Sequence, residues 1–238
     1  MDTLSVSALY KNHRFPPAII SHAVWLYHRF CLSFRDVEEI LAERGVSVSY
    51  EAVRQWCLKF GAPFTKKLKY RQGRPGDIWH LDEAVVTIAG VRHSLWRAVD
   101  QDGAVLDILV QKRRDASAAK RFFRKLLKGL QYVPRQLVTD KLGSYGAARR
   151  ELLPSVSLCR DKRANNRAEV SHQPTRQRER QMRRFKSPGE AQRFLAVQGP
   201  INNLFRLGRH LLPACHYRTL RTRAFATWNE ATELQEAA

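Results

Sequence analysis

The apolar residues of this chain change their period once, and that change divides it. Before Gly73-Arg74-Pro75-Gly76 they recur at helical spacing, and from Ile78 onward they gather into runs of β-formers. Pro16 and Pro17 suit the opening turn of a first helix, whose stripe is Ile20, Ala23, Val24 and Tyr27. A second helix is expected to start at Ser33 as N-cap, turn Phe34, Val37, Ile40 and Leu41 inward, and stop at Gly45. A third, from about Ser49, puts Val53, Trp56 and Phe60 on one face and Tyr50, Arg54, Gln55 and Lys59 on another. This is a helix-turn-helix pattern, whose last helix would enter a major groove with Arg54 and Gln55 toward the bases and Lys59 beside them. A helical packing or dimerisation bundle has the same pattern and stays open as the alternative. Lys66, Lys67, Lys69 and Arg71 then read as a basic linker that neutralises phosphates. The expected division is a helix-turn-helix domain over 1–63, a linker over 64–77, an α/β domain over 78–199 and a helical tail over 200–238.

Charge narrows the partner. Lys and Arg number 42 against 22 Asp and Glu, a net +20 that strains a compact chain unless a polyanion is usually bound. Nucleic acid is the expected partner, double-stranded DNA if the helix-turn-helix reading holds, and a membrane is not, because no apolar run reaches the length of a spanning helix and the N-terminus lacks a signal-peptide pattern. A cytoplasmic protein is expected. Cys31, Cys57, Cys159 and Cys215 are scattered, with no C-x-x-C pair, which argues against a disulfide framework and a zinc knuckle.

In the second region, runs at 78–89, 91–99 and 105–110 read as three strands, with Asp100-Gln101-Asp102-Gly103 as a turn. Asp115 caps a helix from Ala116 to about Leu130, and Gln136–Thr139 is a short strand ending at Asp140. A helix near 144–152, a strand near 156–159 and one long basic helix from about Asn166 to Phe185 complete the order. Such a succession is that of a ribonuclease-H-like α/β domain, a mixed five-stranded sheet flanked by helices, here following an N-terminal all-α module.

Asp82 lies inside a β-run, where an ionised carboxylate is costly unless a cation compensates it. Asp140 lies where a strand exits its sheet, the usual location of α/β sites. If the first and fourth strands are neighbours, these two approach each other, and Glu169, the sole acidic residue between Lys162 and Arg178, completes an all-oxygen set. Oxygen ligands suit Mg²⁺ or Mn²⁺, and two ions about 4 Å apart support in-line phosphoryl transfer without a protein nucleophile. On this reading Asp82 bridges both ions while Asp140 and Glu169 serve one each. Taken singly, Asp140 is equally a loop carboxylate and Glu169 a partner of Arg167. Glu83 is expected on the opposite sheet face from Asp82. From Arg160 to Lys186, ten Lys or Arg stand against three acidic residues. Arg167, His172 and Arg176 there, with Lys141 beside Asp140, are the candidate DNA contacts of this domain. His172, one turn after Glu169, either touches the phosphate, orients a ligand or simply packs.

Several blocks resemble the DDE transposases of the insertion-sequence-six family. They are Trp79-His80-Leu81-Asp82-Glu83; Trp96-Arg97-Ala98-Val99-Asp100 with Arg113-Arg114-Asp115; Val138-Thr139-Asp140-Lys141 with Tyr145-Gly146-Ala147-Ala148; and Asn165-Asn166-Arg167-Ala168-Glu169 with His172 and Arg184-Phe185-Lys186-Ser187. The likeness extends from about Phe15 to near Trp228. It implies Asp82, Asp140 and Glu169 as metal ligands, binding to terminal inverted repeats, transfer of a 3′-hydroxyl into target DNA and movement by cointegrates. Residues 141–168 form a shorter interval than in the best-known members, and Cys159–Arg163 lacks a histidine expected before the paired asparagines. Paired transposon ends need two active sites, so a homodimer or larger assembly is expected on DNA. Leu204, Leu207, Leu211 and Leu212 of the tail are candidates for its interface, or pack on their own domain. The rival readings are a DNA-binding protein that has lost catalysis and a ribonuclease-H-like nuclease.

Overall fold

The computed structural model describes residues 8–71, 73–140, 143–161 and 163–234. Two compact units emerge, one from 1–72 together with 200–238, the other from 73–199.

The first unit is helical: α1 (Pro17–Arg29), α2 (Phe34–Glu43), α3 (Tyr50–Arg71) and α9 (Ala214–Ala231), with short 3₁₀ turns at Ala8–Tyr10 and Arg209–Leu211. Ser33 caps α2 in a reciprocal box with Asp36, and Gly45 takes the left-handed conformation (φ 75°) that ends it, so α2, the turn and α3 follow in helix-turn-helix order. One expectation needs correction. The basic segment from residue 64 begins as helix and not as a linker: α3 runs on to Arg71, because Phe64 and Leu68 extend its buried stripe. The segment from 200 packs on its own unit, one of the two alternatives open for it. Trp228 packs edge-on against Phe64 at 5.6 Å, and the Tyr10 hydroxyl donates to the Thr232 carbonyl at 2.6 Å.

The second unit is built on a mixed sheet with strand order β3-β2-β1-β4-β5, formed by β1 (Ile78–Ile88), β2 (Val91–Asp100), β3 (Val105–Gln111), β4 (Gln136–Thr139) and β5 (Ser157–Arg160). β1 runs antiparallel to β2 and parallel to β4. One face carries Trp79, Leu81, Trp96 and Ala98 against α4 (Ala116–Leu130) and α5 (Gly143–Leu152), enclosing Phe122, Phe123 and Tyr145 in the core. Asp115 caps α4 by accepting the Ala118 amide at 2.7 Å, and Asp100 accepts the amides of Asp102 and Ala104 in the β2–β3 turn, as the sequence suggests for both. Across β1 and β2 lies α6 (Asn166–Ser171), followed by α7 (Gln173–Gln181). The single long helix expected over 166–185 is therefore two, broken at His172, and it ends at Gln181. Helix α8 (Pro188–Phe205) begins in this unit, where its Gln192 accepts the Val110 amide on edge strand β3 at 2.9 Å. The unit boundary falls within α8, at Gly199–Pro200.

Candidate active site

Strand alternation sorts the acidic residues of β1. Trp79, Leu81 and Glu83 share the α4/α5 face, while His80 and Asp82 share the α6 face. In the parallel pairing, Leu81 stands opposite Thr139, so one step further along both strands places Asp82 and Asp140 side by side at the carboxyl end of β4. The third carboxylate is brought in by α6. The Asn165 amide at the head of that helix donates to the Leu81 carbonyl at 2.8 Å, tying α6 to β1 next to Asp82 and setting Glu169 one turn further on.

Electrostatics reflects this crowding. Burial pushes the Asp82 carboxyl up to about 7, and Glu83, Asp140 and Glu169 add to the rise. The site is thus short of positive charge. Arg97 faces Asp82 in the β1–β2 register and is itself buried, its guanidinium donating to the Ser171 carbonyl and the Thr175 hydroxyl. Burial lowers Arg97 to about 10, and Asp82 opposes that shift. His172 Nε2 stands 3.5 Å from Asp82 Oδ2. Burial holds His172 well below the ordinary histidine range, with Arg97 and then Arg176 reinforcing it, so the imidazole is neutral at pH 7 and the contact is not an ion pair.

Glu83 has a separate role on its own face. Its carboxylate accepts Arg114 Nε at 2.6 Å and the Tyr145 hydroxyl at 2.8 Å, and Arg114 also reaches Asp140 Oδ2 at 3.9 Å. Burial raises the Glu83 pKa, an effect that Tyr145 and Arg114 oppose.

The donor set, hard carboxylate oxygens with a charge deficit centred on Asp82, fits a divalent cation. Among the described residues no three His, Cys, Asp or Glu side chains are gathered into a formed metal cage. None of the described helices is long and apolar enough to cross a membrane.

A family profile described as a DDE domain matches residues 76–207. The transposase for insertion sequence-like element IS431mec of Staphylococcus aureus is 30% identical over 208 residues, covering 85% of this chain and 91% of that one. The chain belongs to the DDE transposases of the insertion-sequence-six family. It is similar also to the transposase for insertion sequence element IS257 in transposon Tn4003 of the same species, at 29% identity over 208 residues with the same coverage. Among solved structures, the HTLV-2 integrase catalytic core domain in complex with magnesium (trimeric form) is 13% identical, with TM-score 0.41 over 58% of this chain and 90% of that one. As a DDE transposase of an insertion sequence, the chain is a metal-dependent polynucleotidyl transferase built on a mixed five-stranded sheet flanked by helices.

The candidate DNA contacts of the transposase fare differently from one another. Glu51 on α3 accepts both Arg54, with Nη2 at 2.7 Å, and Gln55, at 2.8 Å, holding the two side chains together on one exposed face. Lys59 Nζ meets His13 Nε2 at 2.7 Å. Lys66 and Lys69 are exposed, whereas Lys67 pairs with Glu233 and Arg71 with Glu230 at 3.5 Å, so those two anchor α9. Arg167 is exposed and donates to the Gln101 carbonyl, and Arg176 is exposed on α7. His172 is not placed to touch DNA: its side chain is 1% exposed and directed at Asp82, which leaves orienting that ligand or simply packing as its roles. Lys141 lies outside the described residues. Sequence reasoning gave no role to Arg97, Asn165 or Arg114. Arg97 carried a usable signal, a cation inside the apolar β-run Leu95–Val99.

Proposed function

We propose that this transposase binds the terminal inverted repeats of its insertion sequence, cleaves at the element ends and joins a 3′-hydroxyl to target DNA, moving by cointegrates. The observation that supports this reading is the parallel β1–β4 register, which runs up to Asp82 and Asp140, with Asp140 and Glu169 both adding to the rise of the Asp82 carboxyl to about 7. Asp82, Asp140 and Glu169 would hold Mg²⁺ or Mn²⁺, two ions to a site. When bound, the ions supply activation of the attacking oxygen and charge stabilisation of the leaving oxygen in an in-line transfer.

The chain's own residues prepare that site. Arg97 ties β2 to Ser171 and Thr175 on the two helices above, which would hold the helix that carries Glu169 in place. Neutral, buried His172 packs behind Asp82 and keeps water from that side of the carboxylate. Arg114, held by Glu83, lies within 3.9 Å of Asp140. Arg54 and Gln55, presented together by Glu51, are the base readers, with Lys59, Lys66 and Lys69 on phosphates. Two ends joined in one event require two active sites, hence a homodimer or larger assembly on DNA. The soluble, nucleoid-bound state of a bacterial cell is where such a chain would act.

The test is strand transfer of a labelled duplex carrying the neighbouring inverted repeat into a plasmid, with Mg²⁺ or with chelator, for wild type and Glu169→Gln. Metal-dependent joining that disappears in Glu169→Gln is expected. Cleavage without joining would make the chain a nuclease, and binding without either reaction would make it a DNA-binding relic.

A further inference from the structure

Away from the carboxylates, the turn after α7 borders an open cavity of about 430 Å³ lined by Thr87, Glu179, Arg180, Arg183 and Arg184. Its three arginines are exposed, and none of them takes part in an ion pair among the described residues. Arg183 and Arg184 both have positive φ, 51° and 74°, in the left-handed region that favours glycine.

The turn is pinned on both sides. Glu179 accepts the Thr87 amide at 3.3 Å, and Phe185, which is buried, bridges to Ile88 at the end of β1. The amides of Arg183 and Arg184 already donate to the carbonyls of Arg180 and Glu179, at 3.0 and 2.9 Å, so any anion here is held by guanidinium groups rather than by backbone. Cations do suit the carbonyl-rich end of a helix. That role alone does not account for two arginines at left-handed positions, where glycine would close the same turn without steric cost.

We propose that this cavity is a phosphate clamp that grips the backbone of duplex DNA beside the active site. The proposal rests on the transposase reading and adds to it a specific holding point. Thr87 lies five residues beyond Asp82 on β1, about 17 Å at strand rise, which matches about five nucleotide steps along a duplex. With three arginines against Glu179, whose carboxylate is engaged by Thr87, the cavity is net cationic. Arginine suits this task, since its planar fork meets phosphate oxygens in pairs.

The experiment uses the whole chain and the double variant Arg183→Gly/Arg184→Gly, which removes two guanidiniums while relaxing the backbone, so it folds at least as well as wild type. Equilibrium binding to a short duplex of arbitrary sequence is measured with chelator across a salt series. The clamp predicts that the slope of log K against log salt falls by about two, with affinity at low salt weakened about 10- to 100-fold. An unchanged slope and affinity in the variant overturns the clamp and leaves the transposase reading standing. A wild-type chain that binds no duplex overturns both.

Discussion

Arg97 and Asp82 face each other in the register of β1 and β2, and the carboxylate opposes the fall that burial imposes on the guanidinium. Replacing Arg97 by Met removes the cation nearest Asp82 in that register and leaves the Ser171 carbonyl and Thr175 hydroxyl without their donor. A loss of about 2–4 kcal/mol is expected, lowering the thermal midpoint by roughly 4–16 °C, with Arg97→Lys intermediate. A midpoint unchanged in Arg97→Met would show that the guanidinium contributes nothing. Asn165→Ala tests positioning instead. It deletes the bond to Leu81 that seats α6, so strand transfer should fall by about tenfold or more, about 1.4 kcal/mol, while duplex binding measured with chelator stays at the wild-type level. Loss of both together would assign Asn165 to the fold. At this scale the sequence was readable where a charge stood out against its neighbours, as Asp82 does. Arg97 has the same signature, but alternation along one strand does not say what lies above it, and that answer belongs to α6 and α7, more than seventy residues later in the chain.

Elements set by local rules were legible, and elements set by distant partners were not. The Ser33 and Asp115 caps, the Gly45 stop and the β2–β3 turn depend on a few adjacent residues and stand where the sequence suggests. The extension of α3 through Leu68 goes with its packing on α9 and has no local signal, whereas the break at His172 has one in Pro174, whose missing N–H and bulky ring oppose a continuous helix there. The docking of α9 can be measured. Trp228 is 3% exposed and fills an aromatic cluster with Phe64 and Phe205, so Trp228→Ala should cost about 3–5 kcal/mol in urea unfolding. Tyr10 gives a pH signature of the same docking. Burial raises its pKa above the ordinary value of 10.0. The unfolded chain therefore releases this proton first, so Tyr10's contribution is present below pH 10 and fades as pH rises beyond it. Tyr10→Phe should lose about 1 kcal/mol at pH 7 and show a shallower alkaline fall than wild type. Parallel alkaline curves for the two proteins would mean that Tyr10 is solvated and α9 is not docked through it.

For the molecule as a whole, a net charge of +20 spread over 238 residues is the dominant long-range force. Much of the excess sits on exposed faces, including the basic run of α7 and the turn after it, where carboxylates are few. Like charges separated by less than a Debye length repel, and that length is about 10 Å at 0.1 M salt and shortens as salt rises. Folding gathers these charges and the unfolded chain spreads them, so self-repulsion opposes folding and added salt should relieve it. Raising sodium chloride from about 0.05 to about 0.3 M should lift the thermal midpoint by about 3–6 °C, corresponding to about 1–2 kcal/mol. A non-specific duplex should do more at low salt, because it supplies fixed negative charge at the faces where the excess lies and binds only the folded chain tightly. The duplex effect should then shrink as salt rises, since the same ions that screen the protein compete for the phosphates. If duplex stabilisation instead persisted undiminished at high salt, the interaction would be held by base contacts and apolar burial, and the excess of arginine and lysine would not be the source of affinity for DNA.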